Sequence, residues 1–195
     1  MIDANMIIEK QEGKTFPPLP ANVYQVELLD VNAEVKTTYD TRNKPEEEQE
    51  KETIFNFQFT LLSGKDINQP EDKQNLRGRN VWINFVPTYL YIGKNGKNKL
   101  YRIVEGLLQR NLTLKEEAEG ITGALINGLI GKQIRLGIEP VTKGDKTYDQ
   151  VTAYYVVESN MEPLTAEEKD NATVKKDTED ILAVGTQDNE DIDNF

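Results

Sequence analysis

Ile54-Phe55-Asn56-Phe57-Gln58-Phe59-Thr60-Leu61-Leu62 alternates large apolar and polar side chains with a period of two. Phe55, Phe57, Phe59 and Leu61 fall on one face and Asn56, Gln58 and Thr60 on the other, which predicts a strand with one buried face and one wet face. The same rule places Val81, Ile83 and Phe85 of the stretch Asn80–Val86 inward, and Trp82 and Asn84 outward. Upstream, Val23–Val35 alternates through Tyr24, Val26 and Leu28, then changes phase at Leu28-Leu29 and continues as Leu29, Val31, Ala33 and Val35. A strand that changes face midway predicts a β-bulge, which bends a long strand around a curved sheet.

Downstream the period lengthens. Leu100, Ile103, Val104, Leu107 and Leu108 recur at the spacing of an amphipathic helix. Thr113 followed by Glu116 is a capping-box pair opening a second short helix, and Ile121–Ile130 is a third apolar stretch stopped by Gly131. The helical insert is thus predicted over 98–130. Strand periodicity returns in Lys132–Val141, with Ile134, Leu136 and Ile138 inward. It continues in Tyr148–Val157, with Val151, Ala153, Tyr155 and Val157 inward, across a hairpin turn at Thr142–Thr147. Three strands, a helical region and two strands is the order of an OB-fold. The expected fold class is therefore mainly β: a five-stranded, OB-fold-like Greek-key barrel with a helical insert between strands 3 and 4. Residues 1–20, ending in Phe16-Pro17-Pro18-Leu19-Pro20, are expected to form an N-terminal arm, 21–160 the domain, and 161–195 a disordered acidic tail with a helical turn at Thr165–Lys169.

The chain has 195 residues, of which 37% are hydrophobic and 29% charged, enough for one core with appendages. It has no cysteine and no histidine, so disulfides, Cys/His zinc sites, thiol nucleophiles and an imidazole base are excluded. No stretch of eighteen or more apolar residues is present, and the N-terminus lacks a basic region followed by an apolar one, so a cytoplasmic protein is expected. The net charge of −11 is unevenly spread: residues 177–195 hold seven acids and no base, which leaves −4 for residues 1–176. Residues 71–110 carry a local +5 from Lys73, Arg77, Arg79, Lys94, Lys97, Lys99, Arg102 and Arg110 against Glu71, Asp72 and Glu105.

That basic segment is interleaved with aromatic residues. Lysines that follow a phosphate backbone and rings that meet bases are the composition single-strand binding requires. The candidate nucleic-acid-binding residues are Trp82, Tyr89, Tyr91, Arg77, Arg79, Lys94, Lys97, Lys99, Lys143 and Lys146. For Trp82 two readings are open, a stacking platform or a ring packed under the helix or the arm. Tyr89 and Tyr91 can likewise meet bases or cover the core. No phosphate-cradling glycine motif is present, so nucleotide hydrolysis has no support. Glu46–Glu52 reads as a solvated loop rather than a metal site or a catalytic carboxylate pair. No catalytic residue, metal or cofactor is expected.

An acidic C-terminus closing on an aromatic residue, through Asp188, Glu190, Asp191, Asp193 and Phe195, resembles the tails of phage-type single-stranded DNA-binding proteins. The segments Gly131–Leu136 and Tyr148–Val151 look similar to their OB strands. The tail here lacks the proline-phenylalanine ending of the bacterial form. The resemblance implies a protein that coats single-stranded DNA in replication, recombination or repair inside a bacterial host cell, with a tail that docks partner replication or recombination proteins and competes with DNA for the basic groove. Self-association into a homo-oligomer stays open. The alternative is a phage replication or recombination assembly module whose acidic tail mimics DNA.

Overall fold

The computed structural model describes residues 17–71 and 74–169. Its framework is one five-stranded antiparallel sheet built from β1 (Asn22–Thr37), β2 (Lys51–Leu61), β3 (Asn80–Pro87), β6 (Gln133–Lys143) and β7 (Lys146–Tyr155), in the order β3-β2-β1-β6-β7. Between β3 and β6 lie a two-stranded hairpin, β4 (Ile92–Gly93) with β5 (Gly96–Lys97), and three short helices, α1 (Lys99–Leu108), α2 (Leu114–Glu119) and α3 (Gly123–Asn127). The fold is mainly β, and no helix among the described residues is long and apolar enough to cross a membrane. Among those residues the sheet is not closed by a β3–β7 ladder.

β1 is the hinge of the sheet. Its first part, Asn22–Glu27, pairs with β6, and Val26–Thr37 pairs with β2. The register slips between Leu28 and Asp30, where the phase change in the sequence predicts it. The Leu28 amide donates to the Lys132 carbonyl and accepts from Gly131 N–H through its own carbonyl, so the bulge sits where β1 parts from β6. The apolar faces of β2 and β6 hold as expected, but the face of β2 expected to be wet is covered at Gln58 and Thr60, which are buried. Phe57, Phe59, Leu61, Ile134, Leu136 and Ile138 are fully buried around Val26 and Leu28.

Two expected orientations are corrected. Phe85 was expected inward, but its φ of +56° and a register slip between Phe55 and Phe57 put Val86 in the core instead. Positive φ is strained for an aromatic residue, at about 1–3 kcal/mol. The Asn56 carboxamide oxygen holds the bulge by accepting from Phe85 N–H at 3.2 Å. In β7, a slip opposite Gly137 and Ile138 leaves Tyr155 exposed, while Tyr154 packs on the core and burial pushes its hydroxyl up to about 12.

Helix α1 closes the core from inside the curve, packing against β3, β6 and β7 with Leu100, Ile103, Val104 and Leu107. Asn98 caps its first turn by accepting from Tyr101 N–H, and Gln109 ends it in the left-handed region. The capping box Thr113/Glu116 is present at the start of α2. Gly106 allows α1 to approach β6, since a β-carbon there would lie 2.3 Å from Ile134 Cδ1. Ile134 is fully buried, so moving it aside would disturb its neighbours in the core. G106A is therefore expected to lower stability by about 1–2 kcal/mol despite alanine's better helix propensity, read as a lower denaturant midpoint.

The two edges of the sheet meet at one point. Arg79, just before β3, donates from Nη2 to Asp149 Oδ2 of β7 at 2.9 Å, with both side chains mostly buried. The other Asp149 oxygen accepts from Leu19 N–H at 2.6 Å and so fixes the incoming chain. The packed chain also runs past the boundary expected at residue 160, with Val157 and Leu164 buried. The expected helical turn is present, opened by Thr165 N–H donating to Glu168 Oε2 and Glu168 N–H to Thr165 Oγ1.

Candidate nucleic-acid interface

The outer face of β1–β2–β3 is the side opposite the core. Alternation puts Gln25, Glu27, Asp30, Asn32, Glu34 and Lys36 of β1 there, beside Asn56, Gln58 and Thr60 of β2. On β3 the matching residue is Trp82, across the ladder from Gln58 and partly exposed. The β3 bulge turns Phe85 onto the same face, where Lys36 Nζ stands 4.3 Å from its ring centroid. Lys36 also pairs with Glu34 at 3.5 Å, and Asn56 Nδ2 donates to Glu34 at 3.1 Å. One half of the face is thus an aromatic strip, Trp82 then Phe85, edged by amides and a lysine. Sequence reasoning missed Phe85 and Lys36, and the bulge that brings them together leaves no mark in the alternation of β3.

β3 runs directly into the β4–β5 hairpin. Thr88 Oγ1 donates to the Thr53 carbonyl, Asn98 Nδ2 to the Tyr89 carbonyl at 2.8 Å, and Asn98 N–H to the Tyr91 carbonyl at 2.9 Å. Tyr89 is 60% exposed and Tyr91 59%, values that settle the tyrosines as surface residues rather than core cover. The Tyr91 ring lies against Gly93, where any β-carbon would come within 2.7 Å of it. Lys94 and Lys99 are exposed and carry no ion pair among the described residues. Tyr89, Tyr91, Lys94 and Lys99 are thus all exposed on or beside the β4–β5 hairpin.

The other basic candidates of residues 71–110 are paired. Lys97 is held by Glu105, with Nζ 2.7 Å from each carboxylate oxygen and 4.6 Å from the Tyr101 ring centroid. Glu105 also accepts from Leu112 N–H, so Lys97 locks the hairpin to α1. Burial, with a hydrogen bond to Glu117, pushes the Tyr101 hydroxyl up to about 12. Arg79 is committed to Asp149. Arg77 grips Glu168 through Nε at 2.9 Å and Nη2 at 3.3 Å, and donates to the carbonyls of Leu62, Glu162 and Pro163. Arg110, counted in the +5 segment, forks onto Glu116. The +5 of residues 71–110 is therefore not a spatial patch, because carboxylates from elsewhere in the fold take up much of it.

Lys143 and Lys146 face each other across the exposed β6–β7 turn, in which Gly144 has φ +59°. By register this turn lies past the start of β1, at the opposite end of the sheet from the Tyr89–Tyr91 hairpin. Glu46–Glu48 form an exposed 3-10 turn, and no acidic group suited to a metal ion occurs among the described residues. Asp188, Glu190, Asp191, Asp193 and Phe195 lie outside the described residues.

The Arg77 pairing has a pH consequence. The guanidinium, helped by Thr165 N–H, pulls the Glu168 carboxyl down to about 2. A depressed carboxyl contributes its stabilisation above the ordinary carboxylate range and loses it as pH falls through the folded value. Residues 162–168 are expected to stay seated at pH 5 and to detach as pH approaches 2, read as loss of amide protection in that segment before the β2 and β6 amides. Simultaneous loss would contradict it.

No protein-family model matches the chain, and no curated protein matches it.

Proposed function

We propose that the protein binds single-stranded nucleic acid without sequence preference, on an OB-fold-like frame, and that DNA is the ligand. The sheet order β3-β2-β1-β6-β7, with helices between the third and fourth long strands, supports this frame, in which the ligand face would be the outer side of strands 2 and 3. The observation that carries the reading is the aromatic row along β3 and its following hairpin, with Trp82 and Phe85 partly exposed and Tyr89 and Tyr91 exposed. Rings of this kind stack on any base, each worth about 1–3 kcal/mol. The binding does not need a catalytic group, and the acidic tail would dock replication or recombination proteins.

The ion pairs change the expected electrostatics. With Arg77, Arg79 and Lys97 committed, among the described residues Lys94 and Lys99 carry no ion pair and Lys36, beside the aromatic row, carries only its exposed 3.5 Å pair with Glu34. About three phosphate contacts give a slope of about −2 in log affinity against log salt for a short single strand. A titration with oligo-dT of about six nucleotides at several salt concentrations checks this. A slope of about −3.5 would mean that Arg77 and Arg79 also contact phosphate.

A second reading is favoured by Asp30, Glu34 and Glu52 on the same outer face and by the exposed acids of the β1–β2 loop. Under it the domain is a protein-interaction module, and neither single-stranded nor duplex DNA shifts Trp82 fluorescence.

A further inference from the structure

Residues 156–169 leave β7 and cross the outer face beside the aromatic strip, over the half where β1 meets β2 and β6. Gln25 Nε2 donates to the Ser159 carbonyl at 2.9 Å, and the Gln133 carboxamide exchanges two 2.8 Å bonds with the backbone of Met161. Arg77 holds the Glu162 and Pro163 carbonyls and the Glu168 carboxylate, and Lys169 Nζ lies 2.6 Å from Glu27 Oε1. The face beneath is polar. Glu27 is 1% and Thr60 0% exposed, yet Glu27 Oε2 and Thr60 Oγ1 find no hydrogen-bond partner among the described residues. Faces buried for good are apolar or fully hydrogen-bonded, because a covered orphan oxygen is costly and water satisfies it on exposure. A covered face left polar and incompletely bonded is built for two states.

We propose that residues 156–169 are a displaceable strap, and that the polar half-face beneath it is a second subsite, occupied by single strands too long for the Trp82–Phe85 half. This rests on the single-strand reading above. Lifting the strap returns Gln25, Glu27, Thr60 and Gln133 to solvent and frees the Arg77 guanidinium. Its fork fits a phosphate as it fits the Glu168 carboxylate. The strap and the long strand therefore compete for one arginine.

The absence of cysteine permits a direct test in the full chain. Ser63 Oγ and Met161 Sδ are 3.6 Å apart, so a short thiol-to-thiol crosslinker across S63C and M161C pins the strap. Binding of oligo-dT of about six and about sixteen nucleotides is compared before and after crosslinking. The expected result is at least tenfold weaker binding of the long strand, with the short one unchanged within twofold. E168Q, which loosens the Arg77 grip, should tighten long-strand binding several-fold. Equal affinity of pinned and unpinned chains for the long strand, or equal loss at both lengths, would overturn the strap while leaving single-strand binding intact. If the unpinned chain binds neither length, the single-strand reading fails, and the subsite with it.

Discussion

W82A is expected to weaken binding of a short oligo-dT roughly five- to a hundred-and-fifty-fold, the equivalent of losing about 1–3 kcal/mol of stacking on one base. The reasoning is positional. Trp82 lies across the ladder from Gln58 on the outer face, while its neighbours Val81 and Ile83 are buried in the core. V81A, one residue away on the opposite side of β3, should therefore lower stability through a small cavity while the folded protein keeps its affinity within twofold. The pair separates a ligand contact from a general loss of fold. Fluorescence anisotropy of a labelled oligonucleotide measures both, with circular dichroism confirming that each variant is folded. If the two variants lose affinity equally, Trp82 is a packing residue, and the row through Phe85 to Tyr89 and Tyr91 no longer has its first member.

R79M is expected to cost about 2–3 kcal/mol, below the range for fully buried pairs because some water reaches both groups. For a chain of this size that lowers the thermal midpoint by roughly 5–10 °C. Arg79 and Asp149 come from opposite edges of the sheet, and Asp149 also fixes Leu19. Removing the arginine leaves a mostly buried carboxylate with one amide partner and loosens the point where the edges meet. The double variant R79M/D149L should recover most of the loss, because it removes the orphaned charge along with its partner. Additive losses in thermal or denaturant unfolding would show that the pair does not act as a unit.

What the sequence disclosed follows from the range of each signal. The alternation of Phe55 to Leu61, the phase change at Leu28-Leu29 and the Thr113/Glu116 box are local, and each specifies its strand, bulge or cap with little help from the rest of the fold. The turn of Phe85 onto the outer face is not local. It depends on the Asn56 carboxamide of the neighbouring strand holding a strained backbone, so strict alternation assigned Phe85 to the wrong side. Charge was misleading for the same reason. Arg77 and Arg79 look like a basic cluster in sequence, but their carboxylates lie 91 and 70 residues away, and pairing across such distances has no signature in composition. Lys97 and Glu105, eight residues apart across a helix start, were within reach of local reasoning, since the cap Asn98 places them on one side of the hairpin–helix junction. The strap was half legible: the helical turn at Thr165–Lys169 could be seen, whereas its seat on Gln25, Glu27 and Gln133 could not.

The most direct measurement uses the fact that Trp82 is the only tryptophan in the chain. Its fluorescence is followed while the full-length protein is titrated with single-stranded DNA and, separately, with duplex of the same sequence. The single strand should quench the indole saturably, with an affinity that falls gently with salt, and the duplex should leave it unchanged. Equal responses to both, or none to either, would contradict the assignment of the Trp82 face as a single-strand interface.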